Sequence, residues 1–499
     1  MQVEEYCEHD LTGLAALLGD GQVNSAEVHD AARAAIEEVN THCNAVADGP
    51  WDEPLAFDAR GPLAGVPFAV KDLLCHPRDV PMRLGTRLAG NGLTLGHDTY
   101  LMERFRRAGL ATAALTTTPE LGVSMSTEAL IYGPTRNPWD LTKSPGGSSG
   151  GSAALVAAGA VPAAHANDSA GSIRAPAALC GLVGLKPSRG RVPIGPDAQE
   201  IVFGQLTEFA VTRTVRDTAA LLDLVAGPAP GEKAPLPRPP RPFRDEIEID
   251  PGTLRVAVHT GAWSGGVVDA EVRATVEQVA ERLEDLGHHV ESATPEIDWD
   301  TFAECQITIW SVAMAEAITG IAMASGLEPG EDTLEAVTLA TLRRGLGVSA
   351  LELSTALSAV NTISRSVGGF LADVDVLLTP TCNTPAWPVG EIDQNRPGLD
   401  TRGWLQQIFD HRATFTPVFN VTGTPAISLP LGMSGQGLPI GVQLAADMGA
   451  EATLLRLAAQ LEGAMPWAGR SPSVYAGSTT RPAIRAASNS GEQRSLTGS

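Results

Sequence analysis

Two serines and one lysine carry most of the chemical content of this 499-residue chain. Ser148 stands in Gly146-Gly147-Ser148-Ser149-Gly150-Gly151, and Ser172 follows in Ser169-Ala170-Gly171-Ser172-Ile173-Arg174. A serine hydroxyl is a weak nucleophile until a base takes its proton, so the pattern asks for a base. Lysine is scarce: Lys71, Lys143, Lys186 and Lys233 are the only four, against a Lys+Arg total of 35. Lys71 lies inside the apolar run Gly-Val-Pro-Phe-Ala-Val-Lys-Asp-Leu-Leu at 65–74. Burial there disfavours the ammonium form and makes a neutral amine accessible near pH 7, which an arginine would not offer. The competing reading of Lys71 is a buried ion pair with Asp72 or another carboxylate.

Other chemistries fit the serine segment poorly. Gly146-Gly147-Ser148-Ser149-Gly150 matches Gly-x-Ser-x-Gly, but that elbow needs an apolar strand leading into it. Here residues 136–143 are polar and broken by Pro138, and only His411 is well placed late in the chain. A phosphate loop would carry its lysine after the glycines, whereas Lys143 precedes them. A flexible linker is at odds with the buried-looking sequence on both sides.

The elements that must position these groups alternate in type. Residues 11–48 read as helices, with a capping sequence at Asn24-Ser25-Ala26-Glu27. Residues 61–74 and 108–116 read as buried strands, and 152–159 as a short Ala-rich helix. An amphipathic helix is expected over 213–226, then a Pro-dense flexible crossover over 227–243. A strand at 253–259, helices over 269–286 and 334–372, strands at 375–380, 425–431 and 440–444, and a helix over 451–462 follow. Strands and helices intermix throughout, which predicts an α/β fold with a mixed sheet. The tail 478–499 is polar, without apolar period, and is expected to be disordered.

The net charge of −23 excludes nucleic acid and anionic membranes as natural partners. No secretory signal and no run of about twenty apolar residues is evident, so a cytoplasmic protein without membrane spans is expected. The six scattered cysteines form no Cys-x-x-Cys pair, which points to reduced thiols and no metal.

Residues 144–192, with Val70-Lys71-Asp72, resemble the amidase signature hydrolases. The similarity continues through FNVTGTPAISLPLGM at 419–433 to residue 462. The resemblance implies a single large α/β domain over 1–477, its mixed sheet covered by helices on both faces. It also implies a Ser-cisSer-Lys catalytic set: Ser172 as nucleophile, Ser148 as the bridging serine after a cis peptide, and Lys71 as base. Backbone N–H groups of Ser169, Ala170 and Gly171, with that of Ser172, fall where the oxyanion hole is built. No cofactor and no metal are implied. Ser144, Ser149 and Ser152 are assigned backbone and capping roles, and Asp168 with Arg174 a structural pairing. The common Gly-Thr-Asp-x-Gly-Gly-Ser is here Ala166-Asn167-Asp168-Ser169-Ala170-Gly171-Ser172. This variant looks most like the 6-aminohexanoate-cyclic-dimer hydrolases of nylon-oligomer breakdown.

The expected activity is hydrolysis of a C–N amide bond through an acyl-enzyme on serine, on a small cyclic or linear oligoamide. Carbamate, aryl-amide or ester cleavage, a glutamine amidohydrolase subunit of a tRNA-dependent amidotransferase, and a non-enzymatic scaffold are the alternatives. Pocket walls are expected from 121–132, 302–315 and 404–415. Trp310 and Trp404 are read as core or as pocket lining, and a homodimer is left open.

Overall fold

The computed structural model describes residues 1–478, so the expected disordered tail lies, but for Ser478, outside the described residues. Eleven strands form one mixed sheet. They are β1 (Val46–Asp48), β2 (Pro67–Lys71), β3 (Ala111–Thr116), β4 (Ala163–Asp168), β5 (Val183–Lys186), β6 (Thr207–Thr212), β7 (Arg255–Val258), β8 (His289–Ser292), β9 (Val376–Pro380), β10 (Ala426–Met433) and β11 (Pro439–Ala445). Their order is β1-β3-β2-β4-β6-β5-β10-β11-β9-β7-β8. β2 runs parallel to both β3 and β4, while β4–β6, β5–β6, β5–β10 and β10–β11 are antiparallel.

Residues of β2, β3, β4 and β6 are buried at every position. Burial on both faces is why β2 and β3 read as apolar runs rather than as an alternation: helices cover both sides of the sheet. The helix Gly150–Ala157 is buried throughout and packs on β4 and β2, its small residues allowing close approach to the sheet. The helix Trp299–Ser325 is long and apolar enough to cross a membrane, yet half of it is buried in the protein. Phe302, Ile309, Trp310 and Ile318 turn into the core, and the helix packs on Ala336–Leu346 and Ala350–Asp373.

The crossover after helix Val215–Val225 carries no helix or strand until Phe243–Glu246. It is tied to the body, with Gly227 N–H bonding Arg191 O (2.8 Å) and Leu236 N–H bonding Gly190 O (3.0 Å). All six cysteines are buried free thiols.

The short helix Arg174–Cys180, which follows Ser172, lies directly on β5, β10 and β11. The approach depends on Gly441: a Cβ there would fall 2.3 Å from Ala178 Cβ and 2.6 Å from its Cα. Gly441→Val is therefore expected to destabilise the protein by about 1–3 kcal/mol through overpacking. The check is denaturant unfolding, with an unchanged midpoint contradicting this packing.

Candidate active site

Parallel pairing of β2 with β4, with Ala69 opposite Ala164, brings the carboxyl ends of both strands to one edge of the sheet. Lys71 ends β2, and Asn167 and Asp168 end β4. Carboxyl ends of parallel strands are where α/β folds place their ligands. The chain then turns through residues 144–149 into the helix Gly150–Ala157, carrying Ser148 and Ser149 over the end of β2. The Gly147–Ser148 peptide is cis.

Lys71 is fully buried, and its Nζ lies 2.7 Å from Ser148 Oγ, 2.7 Å from Asn167 Oδ1 and 3.1 Å from Ser149 Oγ. All three partners are neutral. Burial lowers the pKa from 10.5 to about 7, against the charges of Glu208 and Asp168, which pull it up. Asp72, which follows the strand, makes no ion pair with Lys71. The Asp72 carboxylate instead accepts from Tyr132 OH and from Arg83 N–H (2.9 Å). Burial pushes the Asp72 carboxyl up to about 7.

Behind the lysine, the His165 ring accepts the Lys71 backbone N–H at Nδ1 (3.3 Å) and meets Glu208 Oε2 at Nε2 (2.5 Å). With Nδ1 accepting, Nε2 carries the hydrogen and donates to Glu208. Sequence reasoning singled out neither group. The signal was a histidine and a glutamate in otherwise apolar strands, β4 and β6.

The loop carrying Ser172 is folded around Asp168. Its carboxylate accepts from Gly171 N–H (2.6 Å) and Ile173 N–H (3.2 Å). Arg174 forks onto it through Nε and Nη2, both at 2.9 Å, and also reaches Thr416 O, Gln443 Oε1 and Asn420 Oδ1. Asp168 and Arg174 are fully buried, so the expected structural pairing is present. Burial alone would raise the Asp168 pKa, but Arg174 and Asn420 overcome it and hold the carboxyl at about 2. Gly171 has φ +129°, and a Cβ there would lie 2.3 Å from Thr416 Oγ1, so only glycine fits.

The structure alters two details of the sequence reading and adds a third observation. Gly171 N–H is committed to Asp168, which leaves the Ser169, Ala170 and Ser172 amides as oxyanion-hole candidates. Ser149, at the start of a helix and assigned a capping role, makes no capping bond and turns its hydroxyl to Lys71. Lys186 is a second fully buried lysine, bonded to Pro187 O (2.9 Å) rather than to either serine. Ser172 is 7% exposed, and among the described residues its hydroxyl has no hydrogen-bond partner. Ser144 accepts from Ser126 Oγ and Gly146 N–H, while Ser152 donates to His165 O.

The three expected wall segments share one apolar cluster with Ala170, to which they contribute Leu121, Met125, Phe302, Trp310, Trp404 and Phe409. Trp404 donates to Val123 O (2.9 Å), and a Cβ on Gly122 would lie 3.3 Å from Ser148 Oγ. Among the described residues, His76, His97 and Asp197 are the one group placed to hold a metal. Each imidazole Nε2 is 2.9 Å from an Asp197 oxygen, the distance of an ordinary hydrogen bond.

The Asp168–Arg174 pair yields a test of its own. Arg174→Met leaves a carboxylate buried without its partner, which typically costs about 3–5 kcal/mol. Stability measured by denaturant should fall by that order, and a loss below about 1 kcal/mol would contradict the role given to the pair.

Comparison with known proteins identifies the family. The Amidase family model matches residues 22–455. A 6-aminohexanoate-cyclic-dimer hydrolase of Pseudomonas sp. (strain NK87) is 38% identical over 485 residues, covering 95% of this chain and 98% of its own. A solved structure of 6-aminohexanoate cyclic dimer hydrolase superposes with TM-score 0.88 at 37% identity, covering 94% of this chain and 99% of that one. A bacterial aryl acylamidase of the amidase signature family gives TM-score 0.81 at 25% identity, over 93% and 99% of the two chains. Family match, near-full-length identity and a shared sheet lead to one assignment: the chain belongs to the amidase family.

Proposed function

We propose that this amidase hydrolyses its substrate through an acyl-enzyme on Ser172, with Ser148 as proton relay and neutral Lys71 as base. The observation that carries the reading is the buried Lys71 amine, 2.7 Å from Ser148 Oγ and poised to lose its proton at about pH 7. Ser172 Oγ attacks the amide carbonyl carbon while its proton passes to Ser148 Oγ, and the Ser148 proton passes to Lys71 Nζ. The tetrahedral oxyanion is met by the Ser169, Ala170 and Ser172 amides, donors fixed before the charge develops. Collapse breaks the C–N bond, and the leaving amine takes a proton back through Ser148 from the Lys71 ammonium. Water then adds to the Ser172 ester by the same route, releasing the carboxylic acid and restoring the hydroxyl.

The Ser172 hydroxyl is not bonded to Ser148 in this state. Catalytic hydrogen bonds commonly tighten only when substrate is bound, so the geometry is compatible with the relay. The similarity to 6-aminohexanoate-cyclic-dimer hydrolases favours a cyclic or linear oligoamide of that type.

Ser172→Ala should abolish turnover and labelling by a fluorophosphonate. Retained labelling would move the nucleophile elsewhere. Rates on cyclic, linear and aryl amides measured side by side test the substrate class, with the 6-aminohexanoate cyclic dimer expected to lead. The sign of the pH dependence follows from the lowered lysine pKa. The active, neutral form predominates above about pH 7, so kcat/KM should fall on the acid side with an apparent pKa near that value. A flat profile between pH 5 and 9 would contradict lysine as base.

A further inference from the structure

Asn167 stands where the family motif carries threonine, and its side chain is one of the three partners of Lys71 Nζ. The proton count around that nitrogen is informative. A neutral amine has two N–H donors and one lone pair. Asn167 Nδ2 donates to Leu73 O (3.1 Å), which fixes the amide so that Oδ1 faces the lysine and can only accept. Ser149 Oγ faces Asn167 O at 3.4 Å, so its own hydrogen has a destination and its oxygen accepts from Lys71. Both N–H groups are then in use. The lone pair is left for the third neighbour, Ser148 Oγ at 2.7 Å.

We propose that Asn167 is a positioning residue, whose side-chain oxygen holds one N–H of Lys71 so that the amine lone pair is aimed at the Ser148 hydroxyl. This rests on the reading of Lys71 as base. An amide oxygen does this without charge, whereas a carboxylate would hold the ammonium form. The charged groups already around Lys71 are tied elsewhere: Asp168 on β4 to Arg174, Glu208 on β6 to His165, and Asp72, just past β2, to Tyr132. On β3, Lys71 is paired with the uncharged Thr116. Lys186 bonds Pro187 O.

The test uses Asn167→Asp and Asn167→Leu in the full chain, with folding checked by circular dichroism and melting temperature. Asn167→Asp should move the acid limb of kcat/KM up by at least about one pH unit, with activity recovered at alkaline pH and KM little changed. Asn167→Leu should lower kcat about 10- to 100-fold without such an upward shift. A folded Asn167→Asp enzyme with an unmoved limb, or Asn167→Leu at the wild-type kcat, would overturn the proposal. Lys71→Ala separates the two levels. If it is inactive while the Asn167 variants behave as wild type, only this inference fails. If Lys71→Ala retains the wild-type rate, the assignment of the base fails with it.

Discussion

The site depends on one constraint: a lysine amine is held in a dry interior with neutral hydrogen-bond partners only. Moving an ammonium out of water is costly, and a carboxylate in contact would repay that cost by keeping it charged. Here Ser148, Ser149 and Asn167 meet the amine instead. Glu208 and Asp168 are near enough to raise its pKa, but their own partners, His165 and Arg174, divert them from contact. Burial without a charged contact lowers the pKa of this amine to about 7.

Geometry at the edge of the sheet follows from strand direction. β2 and β4 run parallel, so Lys71, Asn167 and Asp168 come to the same edge by topology. The division of labour among them is then set by burial and partner. Lys71 meets only neutral groups, Asn167 contributes an uncharged oxygen, and Asp168 pairs with Arg174 in organising the loop before Ser172. The Asp168–Arg174 fork, with Thr416, Asn420 and Gln443, joins that loop to distant parts of the chain. A serine placed by a buried ion pair and a lysine kept away from one are complementary uses of the same interior.

Much of this was legible in the sequence. A lysine in an apolar run, in a chain that otherwise uses arginine, drew attention to Lys71, and the glycine–serine pattern to Ser148 and Ser172, whose proposed roles came from the family resemblance. The strands at 67–71, 111–116, 376–380, 426–433 and 439–445 carried enough apolar run or turn punctuation to be read. β4 did not, because its Ala-Ala-His-Ala-Asn-Asp mixes small and polar residues that face the site and the His165–Glu208 pair. β5 and β6 escaped for related reasons: one is four residues long and glycine-containing, the other is interrupted by Glu208. The helices Trp299–Ser325 and Thr401–His411 were noticed only as pocket walls. Ser149 was misjudged because a serine before a helix usually caps it. No one-dimensional signal tells which way such a hydroxyl turns.

The most direct test of the account is the protonation of Lys71 itself. Carbon-13 labelling of lysine, with Lys71→Arg used to assign its signal among only four, allows the Cε shift to be followed with pH by NMR. The Lys71 signal is expected to titrate near pH 7. A Lys71 signal that stays that of an ammonium up to pH 10 would contradict it.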